Sequence, residues 1–329
     1  MIRIGLVGCG AISSVHVKAI EGLDDAVLYG VCDFNYEKAK EFAKERNIKA
    51  YESFTQMLED ENIDSVSLCT PSGLHAEQTI LALEKGKHVL TEKPMALNVK
   101  DCKKIQQAEQ KYNKKVSVVS QQRFTKDVLE VKRLIENNQL GTITNCDLYV
   151  KYYREPSYYK NSPWRGTLKM DGGGALINQA VHGVDVMNFI LGKPTVLCAN
   201  VDTKVHKIEG EDNCVALLRY PNGASGIIQA STATPPGFPK KIIIHGEKGF
   251  VELVESEITT LYLDGEYKIK IDSSGNSERA STNKIFDHTK HQKQYRNFIN
   301  SITKNETLIS SSQDGLNSLD VIENVYKFR

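Results

Sequence analysis

The chain has 329 residues, a length that suggests two domains. Its 42 basic and 41 acidic side chains leave a net charge of +1, which gives no reason to expect a nucleic-acid partner. Seven cysteines stand singly, so we expect reduced thiols and no metal site or disulfide framework. No apolar run reaches the roughly 18 residues of a membrane span, and the first residues lack a signal-peptide pattern. These features favour a cytoplasmic protein with no membrane partner.

The first 120 residues alternate short apolar runs with amphipathic helical patterns. Strands and helices in alternation form parallel βαβ units, and strands buried on both faces are apolar throughout, as in Arg-Ile-Gly-Leu-Val. The predicted strands are 3–7, 27–32, 65–69, 88–90 and 116–119; the predicted helices are 11–22, 35–46, 53–59, 73–85 and 98–112. We therefore predict an α/β fold that begins with a doubly wound parallel sheet over residues 1–120.

A different pattern follows in residues 121–329. After a helix predicted at 126–138, longer and often alternating strands extend from 143 to about 271. The Asn222-Gly223 pair between two of them is a strong hairpin signal, so we predict a large, mainly antiparallel open sheet. Residues 272–284 are predicted to form a polar surface loop. Helices predicted at 287–303 and 312–327 end the chain and could pack back on the N-terminal domain.

A glycine turn follows the first predicted strand. Gly8 permits a tight turn, Gly10 lets a pyrophosphate approach the backbone, and Ala11 and Ile12 begin a helix whose N–H groups face the anion. Asp33 ends the second predicted strand, where it can accept hydrogen bonds from a ribose and disfavours the 2′-phosphate of NADP. The pattern predicts bound NAD; the alternative is a glycine turn in a protein that binds no nucleotide.

Two further turns lie where predicted strands end, at the edge on which open α/β sheets bind ligands. The first contains Thr70, Pro71 and His75, which we expect at the cofactor edge. In the second, Lys93 precedes Pro94, whose ring fixes the local backbone. Such a lysine could hydrogen-bond a reacting hydroxyl, although most lysines only mark a solvated surface.

The stretch Gly-Gly-Gly-Ala-Leu-Ile-Asn-Gln-Ala-Val-His-Gly-Val-Asp, residues 172–185, combines three glycines with polar side chains. On an α-helix, Asn178 and Gln179 share a face with His182, four and three residues further on. The glycines would let the backbone pass close to a nicotinamide. Asp185 could orient the imidazole of His182 or cap structure nearby, and the histidine could instead be a core residue that Asp185 satisfies.

Four motifs, Gly-Leu-Val-Gly-Cys-Gly-Ala-Ile-Ser-Ser-Val-His, Cys-Thr-Pro-Ser-Gly-Leu-His-Ala, Thr-Glu-Lys-Pro-Met-Ala and the stretch around residues 171–185, occur in a diagnostic order. In order and spacing the chain resembles the Gfo/Idh/MocA family of NAD(P)-dependent oxidoreductases over essentially its whole length. The resemblance implies an N-terminal Rossmann domain and a C-terminal α/β domain that supplies the substrate pocket. It also implies an oligomer interface, so we expect a homodimer or homotetramer.

The resemblance further implies roles for particular residues. Lys93 matches the lysine that contacts the substrate hydroxyl, Glu92 its neighbour near the nicotinamide ribose, and His182 the acid/base. Trp164 and Arg165 match a Trp-Arg pair that approaches the cofactor. The chain departs from many members at Asn178, where they have aspartate, so a carboxylate relay through this position is in question.

The expected chemistry is hydride transfer between nicotinamide and a secondary alcohol. An unperturbed histidine titrates near pH 6.5, so His182 is the candidate base, and Lys93 is the candidate for stabilising the alkoxide. The two roles could be exchanged.

The segment 151–167 is rich in tyrosine and arginine. The segment could serve only to pack the sheet. Alternatively, it could form a wall of the substrate site, in which Tyr152 stacks on a sugar and Arg154 pairs with an anion. With Arg123 as a further anion contact, the chain resembles a branch that oxidises the 3-hydroxyl of UDP-N-acetylglucosaminuronate. The predicted substrate-binding residues are Lys93, Arg123, Tyr152, Arg154, Asn178, Gln179 and His182. An inositol or other free-polyol dehydrogenase, or a non-catalytic nucleotide-binding regulatory protein, remains an alternative.

Overall fold

The computed structural model describes residues 1–271 and 287–329, so the loop predicted for 272–284 lies outside the described residues. The chain forms two compact units. The first comprises Met1–Gln121 and Phe286–Leu316, and the second comprises Gln122–Ile285 and Asn317–Arg329. Within the described ranges, no helix has both the length and the apolar character needed to cross a membrane.

The first unit is built on six parallel strands. They are β1 Ile2–Val7, β2 Ala26–Cys32, β3 Lys49–Tyr51, β4 Ser65–Leu68, β5 His88–Thr91 and β6 Val116–Val118, in the order β3-β2-β1-β4-β5-β6. The helices between them are α1 Ser13–Glu21, α2 Tyr36–Arg46, α3 Phe54–Glu59, α4 His75–Glu84 and α5 Val99–Tyr112. This is the strand order of the Rossmann fold, which confirms the predicted doubly wound sheet.

Strand β3 was not among the predicted strands. It has only three residues, and Tyr51 is the one that is fully buried, so it has no hydrophobic periodicity to detect. Its place in the sheet comes from pairing with β2. The core on one side of the sheet is completed by a helix from the end of the chain, Thr289–Thr303, which contributes Tyr295, Phe298 and Ile299.

The second unit contains an eight-stranded sheet. Its strands are β7 Ile143–Lys151, β8 Thr195–Asp202, β9 Asn213–Arg219, β10 Ser225–Ser231, β11 Lys241–Gly246, β12 Gly249–Val254, β13 Glu257–Leu263 and β14 Glu266–Lys270. Their order is β14-β13-β12-β11-β7-β10-β9-β8. The described helices after α5 are α6 Lys126–Glu136, α7 Pro156–Lys160, α8 Val181–Leu191, α9 Thr289–Thr303 and α10 Ser312–Tyr326.

The predicted, mainly antiparallel sheet is confirmed, with one parallel pair between β7 and β10. The hairpin between β9 and β10 turns at Asn222-Gly223 as predicted. Gly223 has a φ of +89°, and the Tyr220 amide donates to the Ala224 carbonyl at 2.9 Å. Helix α8 lies against β7 at Gly183, where an added Cβ would come within 2.5 Å of the Leu148 side chain.

Candidate active site

The glycine turn after β1 has the geometry that a dinucleotide requires. Gly8 has a φ of +96°, and an added Cβ would lie 2.7 Å from the Cys69 carbonyl oxygen, so only glycine fits there. An added Cβ at the exposed Gly10 would have no atom within 4 Å. Ser13, which stands where the family fingerprint has its third glycine, is buried, and its Oγ donates to the Gly10 carbonyl at 2.6 Å. The turn is tightly held and leaves space for a pyrophosphate at Gly10.

Asp33 stands directly after β2, beside this turn. Its Oδ2 accepts a 2.8 Å hydrogen bond from the Cys9 amide, and its Oδ1 accepts a 3.0 Å bond from the Asn35 amide. The next side chain, Phe34, is fully exposed, and residues 34–36 include no arginine to hold a 2′-phosphate. A buried carboxylate and an open glycine turn on the same strand edge fit the adenosine half of NAD.

His75 binds backbone rather than facing open space. Its Nδ1 lies 2.7 Å from the Pro94 carbonyl oxygen and its Nε2 lies 2.8 Å from the Thr70 carbonyl oxygen. The side chain is 1% exposed, and burial lowers its pKa although both carbonyls raise it. Both ring nitrogens of His75 are therefore occupied, and neither is available for the contact with the dinucleotide that we expected. We therefore assign His75 to tying the turn after β4 to the turn after β5.

The turn after β5 presents Lys93 between two buried residues. Lys93 is half-buried, whereas Glu92 and Pro94 are buried, and the Lys93–Pro94 peptide is cis. In the turn after β4, Thr70 and Pro71 are also half-buried. These partly open residues follow neighbouring parallel strands of the first unit, so they lie along one sheet edge.

Glu92 belongs to a buried hydrogen-bonded chain. Its Oε2 accepts a 3.1 Å bond from the Lys93 amide, and its Oε1 lies 3.1 Å from His16 Nε2. His16 Nδ1 lies 2.7 Å from the Tyr295 hydroxyl, which lies 2.6 Å from Ser67 Oγ. Burial raises the pKa of Glu92, but the hydrogen bond and charge of His16 outweigh it and hold that pKa well below its ordinary value. The ionised carboxylate thus anchors the backbone that carries Lys93.

His291 packs on this chain with its ring edge against His16, the ring centroids 5.4 Å apart. Burial and the neighbouring His16 lower the pKa of His291 to about 4, so it is neutral near pH 7. Ligand-type atoms of His16, Glu92 and His291 lie within 4.8 Å of one another. His16 and Glu92 bind each other and their neighbours, so we assign these two residues to hydrogen bonding, whereas His291 packs against His16.

The segment predicted as one α-helix from the glycine run begins differently. Ala175–Ala180 forms a π-helical turn, and regular α-helix begins only at Val181. Along this segment Asn178, Gln179 and His182 are half-buried while their neighbours 175–177, 180, 181 and 183 are buried. The three polar side chains therefore do share the open side, although the turn beneath two of them is wider than an α-helical turn. Turns of this kind are frequent at functional sites.

Asn178 and Gln179 form a row of hydrogen bonds. Asn178 Nδ2 donates to Asp171 Oδ1, and Gln179 Nε2 donates to Asn178 Oδ1 at 2.6 Å. Gln179 Oε1 accepts a 2.8 Å bond from Arg154 Nη2. The Asp171 carboxylate is thus hydrogen-bonded directly to the Asn178 amide. Asp171 was not among the predicted site residues, although its position directly before the glycine run was a usable signal.

In the tyrosine- and arginine-rich segment 151–167, several side chains contact one another around Tyr158. Gln179 Nε2 also donates to the Tyr158 hydroxyl at 3.1 Å, and the Arg165 guanidinium lies 4.2 Å from the Tyr158 ring centroid and 5.6 Å from that of Trp164. Tyr158, which sequence reasoning missed, is the shared contact of this group.

Tyr152 lies deeper in the segment. It is buried, and its hydroxyl donates to Glu255 Oε1 at 3.2 Å. Burial and the Glu255 charge raise the pKa of Tyr152 well above its ordinary value. Arg154 is also buried, with its guanidinium 5.0 Å from the Tyr152 ring centroid. Arg154 also lies 5.4 Å from the Tyr158 ring centroid, so it joins Tyr152 to the group around Tyr158.

Arg123 and Asp185 bind each other. Two nitrogens of the Arg123 guanidinium donate to the two Asp185 oxygens, each at 2.8 Å, and Ser318 Oγ lies 3.4 Å from Asp185 Oδ1. Arg123 is 1% exposed. The structure therefore gives Arg123 no open face for a substrate anion, and it gives Asp185 a guanidinium partner that the sequence did not predict.

Comparison with known proteins agrees with this arrangement. Residues 2–120 match the model of an oxidoreductase family with an NAD-binding Rossmann fold, and residues 128–252 match the GFO/IDH/MocA C-terminal domain. The chain is 32% identical to the WlbA dehydrogenase from Bordetella pertussis, whose crystal structure contains NADH and UDP-GlcNAcA. The TM-score is 0.87, and the alignment covers 99% of this chain and 96% of that one.

Curated relatives extend the comparison. Myo-inositol 2-dehydrogenase of Thermotoga maritima is 26% identical over 95% of this chain and 92% of its own length. D-glucoside 3-dehydrogenase of Escherichia coli is 24% identical over 95% of this chain and 91% of its own length.

The chain belongs to the GFO/IDH/MocA family of oxidoreductases. It is an NAD-dependent dehydrogenase of a family whose members act on sugars and polyols. The non-catalytic alternative is therefore set aside.

Proposed function

We propose that this dehydrogenase oxidises a ring secondary alcohol of a sugar nucleotide, at the 3-hydroxyl of a UDP-N-acetylhexosaminuronate. The similarity to the WlbA dehydrogenase carries the proposal, because that protein was solved with UDP-GlcNAcA and NADH and is 32% identical along nearly the whole chain. The curated dehydrogenases named above are less similar, at 26% and 24% identity.

The cofactor, when bound, accepts the hydride from the substrate carbon. In the proposed mechanism Lys93 donates a hydrogen bond to the hydroxyl oxygen and stabilises its negative charge as the proton leaves. His182 accepts that proton. The chain from the Lys93 amide through Glu92 to His16 fixes the backbone from which the lysine extends. The first unit supplies the proposed cofactor-binding set, which is Gly8, Gly10, Ala11, Ile12, Asp33, Thr70, Pro71, Glu92 and Lys93.

The group around Tyr158 supports an anionic, ring-shaped substrate. It combines the Arg165 cation, an aromatic face and the amide of Gln179 within hydrogen-bond or stacking distance. Guanidinium groups suit carboxylates and phosphates, and amides suit sugar hydroxyls. We therefore propose Arg165 and Tyr158 as substrate contacts, with Asn178, Gln179 and His182 on the open side of their helix.

A free polyol is the second candidate. It is favoured by the match to the myo-inositol dehydrogenase over 327 residues. The asparagine at position 178 is the feature that opposes it. Such a substrate carries no anion, so a polyol dehydrogenase would not depend on Arg165.

A substrate panel separates the candidates. The protein is incubated with NAD and UDP-GlcNAcA, UDP-GlcNAc, glucose or myo-inositol, and NADH absorbance is followed, including a single-turnover measurement at enzyme concentrations near that of NAD. We expect the highest kcat/KM with UDP-GlcNAcA. A higher kcat/KM with myo-inositol or glucose would overturn the sugar-nucleotide proposal.

Lys93 is tested by replacing it with methionine. Lys93→Met removes the charge but keeps an unbranched side chain of similar length, so we expect turnover to fall by about a thousandfold or more while NAD binding, measured by calorimetry, is retained. Lys100→Met is the matched control, because Lys100 is an exposed lysine seven residues further on. Full turnover by Lys93→Met would remove the lysine from the mechanism.

We also propose that the protein self-associates through its second sheet. On β9, Val215 and Leu217 are 50% and 39% exposed, and they pair with Gln229 and Ile227 of β10 on the same face. Exposed apolar side chains in adjacent strand positions are typical of an interface. A homodimer or homotetramer would cover this face.

A further inference from the structure

Glu211 is a buried acid at the start of the helix that carries His182. It is fully buried, and its carboxylate accepts hydrogen bonds from the Leu176 amide at 2.7 Å and the Gly174 amide at 3.1 Å. Its backbone carbonyl accepts a third bond from the Ala175 amide at 2.9 Å. The Tyr326 hydroxyl, at the end of α10, donates to the same carboxylate at 2.8 Å.

These contacts satisfy groups that a helix cannot satisfy itself. The first N–H groups of a helix have no partner within it, and their partial positive charge favours an anion. Here the anion comes from a residue 35 positions later in the chain than Leu176. Burial raises the pKa of Glu211 above its ordinary value, although the N–H donors and Tyr326 lower it.

The glycine run is shaped by this contact. An added Cβ at Gly174 would lie 2.2 Å from the Glu211 carbonyl oxygen, and one at Gly173 would lie 2.6 Å from Glu211 Oε2. The Cβ added at Gly173 would also lie 2.4 Å from the Tyr326 hydroxyl. From the sequence we expected these glycines to let the backbone pass close to a nicotinamide. In the structure, Gly173 and Gly174 give room to Glu211.

We propose that Glu211 is a positioning residue for His182. Its carboxylate fixes the π-helical turn Ala175–Ala180, and this turn sets the direction in which Asn178, Gln179 and His182 face. Tyr326 contributes to the same positioning, because its hydroxyl donates to Glu211 Oε1, the oxygen that also accepts the bond from the Leu176 amide. The role in catalysis rests on the proposed function, in which His182 accepts the substrate proton.

The first test needs no substrate. Glu211→Gln keeps the shape of the side chain but removes the charge and one acceptor, so amide hydrogen exchange should become about tenfold faster or more within residues 174–182. Tyr326→Phe should give a smaller increase in the same segment. Glu209→Gln, at an exposed acid two residues away, is the control and should leave the exchange of this segment unchanged. Unchanged exchange in Glu211→Gln would overturn the proposal.

The second test separates positioning from mere stability. With substrate deuterated at C3, we expect Glu211→Gln to lower kcat by about tenfold or more, to leave the KM for NAD unchanged and to raise the primary isotope effect on kcat. A loss of folded enzyme would lower kcat without changing the isotope effect, and that result would overturn the positioning role. If wild-type protein oxidises no sugar of the panel, the proposed function fails, and the exchange measurement still decides whether Glu211 fixes the turn.

Discussion

Arg123 and Asp185 form an ion pair in which both charged groups are buried and joined by two 2.8 Å hydrogen bonds. Removing one partner of such a pair leaves the other charge buried without compensation. We expect Arg123→Met to lower the free energy of unfolding by about 3–5 kcal/mol in chemical denaturation.

The double variant Arg123→Met/Asp185→Leu provides the matched comparison. With neither charge present, it should regain most of the lost stability, because an apolar pair of similar volume replaces the ion pair. The KM for substrate should be close to that of the wild type. A large rise in this KM with no loss of stability in Arg123→Met would instead make Arg123 a substrate contact.

The Rossmann unit followed closely from sequence because its strands are apolar runs and its turns carry glycine and proline. The second sheet was predictable in kind, from alternation and the Asn222-Gly223 turn, but not in connectivity. The parallel pairing of β7 with β10 joins residues about 80 positions apart, and no local pattern encodes it. The five-residue helix α7 was likewise too short to show a period.

Asp33 sets the expected cofactor preference. We predict that wild-type protein uses NAD in preference to NADP, and that Asp33→Ser/Phe34→Arg shifts the ratio of kcat/KM values towards NADP by about 100-fold or more. The double change removes the carboxylate and adds a guanidinium at a fully exposed position, where a 2′-phosphate can pair with it. Steady-state kinetics with both cofactors measures the ratio.

Phe34→Arg alone serves as the intermediate variant and should shift the ratio less. An unchanged preference for NAD over NADP in the double variant would mean that Asp33 does not bind the adenosine ribose.

The site residues divide into those that motifs reveal and those that only packing reveals. Lys93, Asn178, Gln179 and His182 could be chosen from sequence because each belongs to a recognisable run. His75 and Arg123 were chosen in the same way, yet their partners are a carbonyl of another loop and a carboxylate 62 positions away. Glu211 carries no local signal, since its function depends on a helix start that is distant in sequence.

His291 makes stability depend on pH. Its pKa is about 4 in the folded protein and about 6.5 when exposed, so its contribution to stability is complete above about pH 6.5 and is lost as the pH falls towards 4. The difference corresponds to about 3 kcal/mol of unfolding free energy. We expect His291→Phe to flatten the decline between pH 6.5 and 4 in denaturant titrations.

The control for this effect is His245→Gln, at an exposed histidine on β11. It should leave the pH dependence of the wild type intact. An identical slope in His291→Phe and the wild type would show that His291 does not titrate in this range.

The exposed face of β9 predicts an assembly that charge can disrupt. We expect Val215→Asp/Leu217→Asp to convert an oligomer into a smaller species by light scattering, because a carboxylate cannot be buried in an apolar contact without a partner. Val205→Asp changes an apolar residue that is more exposed than either of these and lies outside the sheet, so it should leave the mass unchanged. A monomeric wild type would contradict the proposed interface.

The proposed reaction passes hydride from C3 of the sugar ring to NAD on this protein. It is tested most directly by one turnover of UDP-GlcNAcA deuterated at C3, followed by mass spectrometry of the cofactor and of the sugar nucleotide. We predict that the reduced cofactor carries the deuterium and that the sugar has lost it as the 3-keto product. Formation of unlabelled NADH together with a sugar that keeps its C3 deuterium would contradict it.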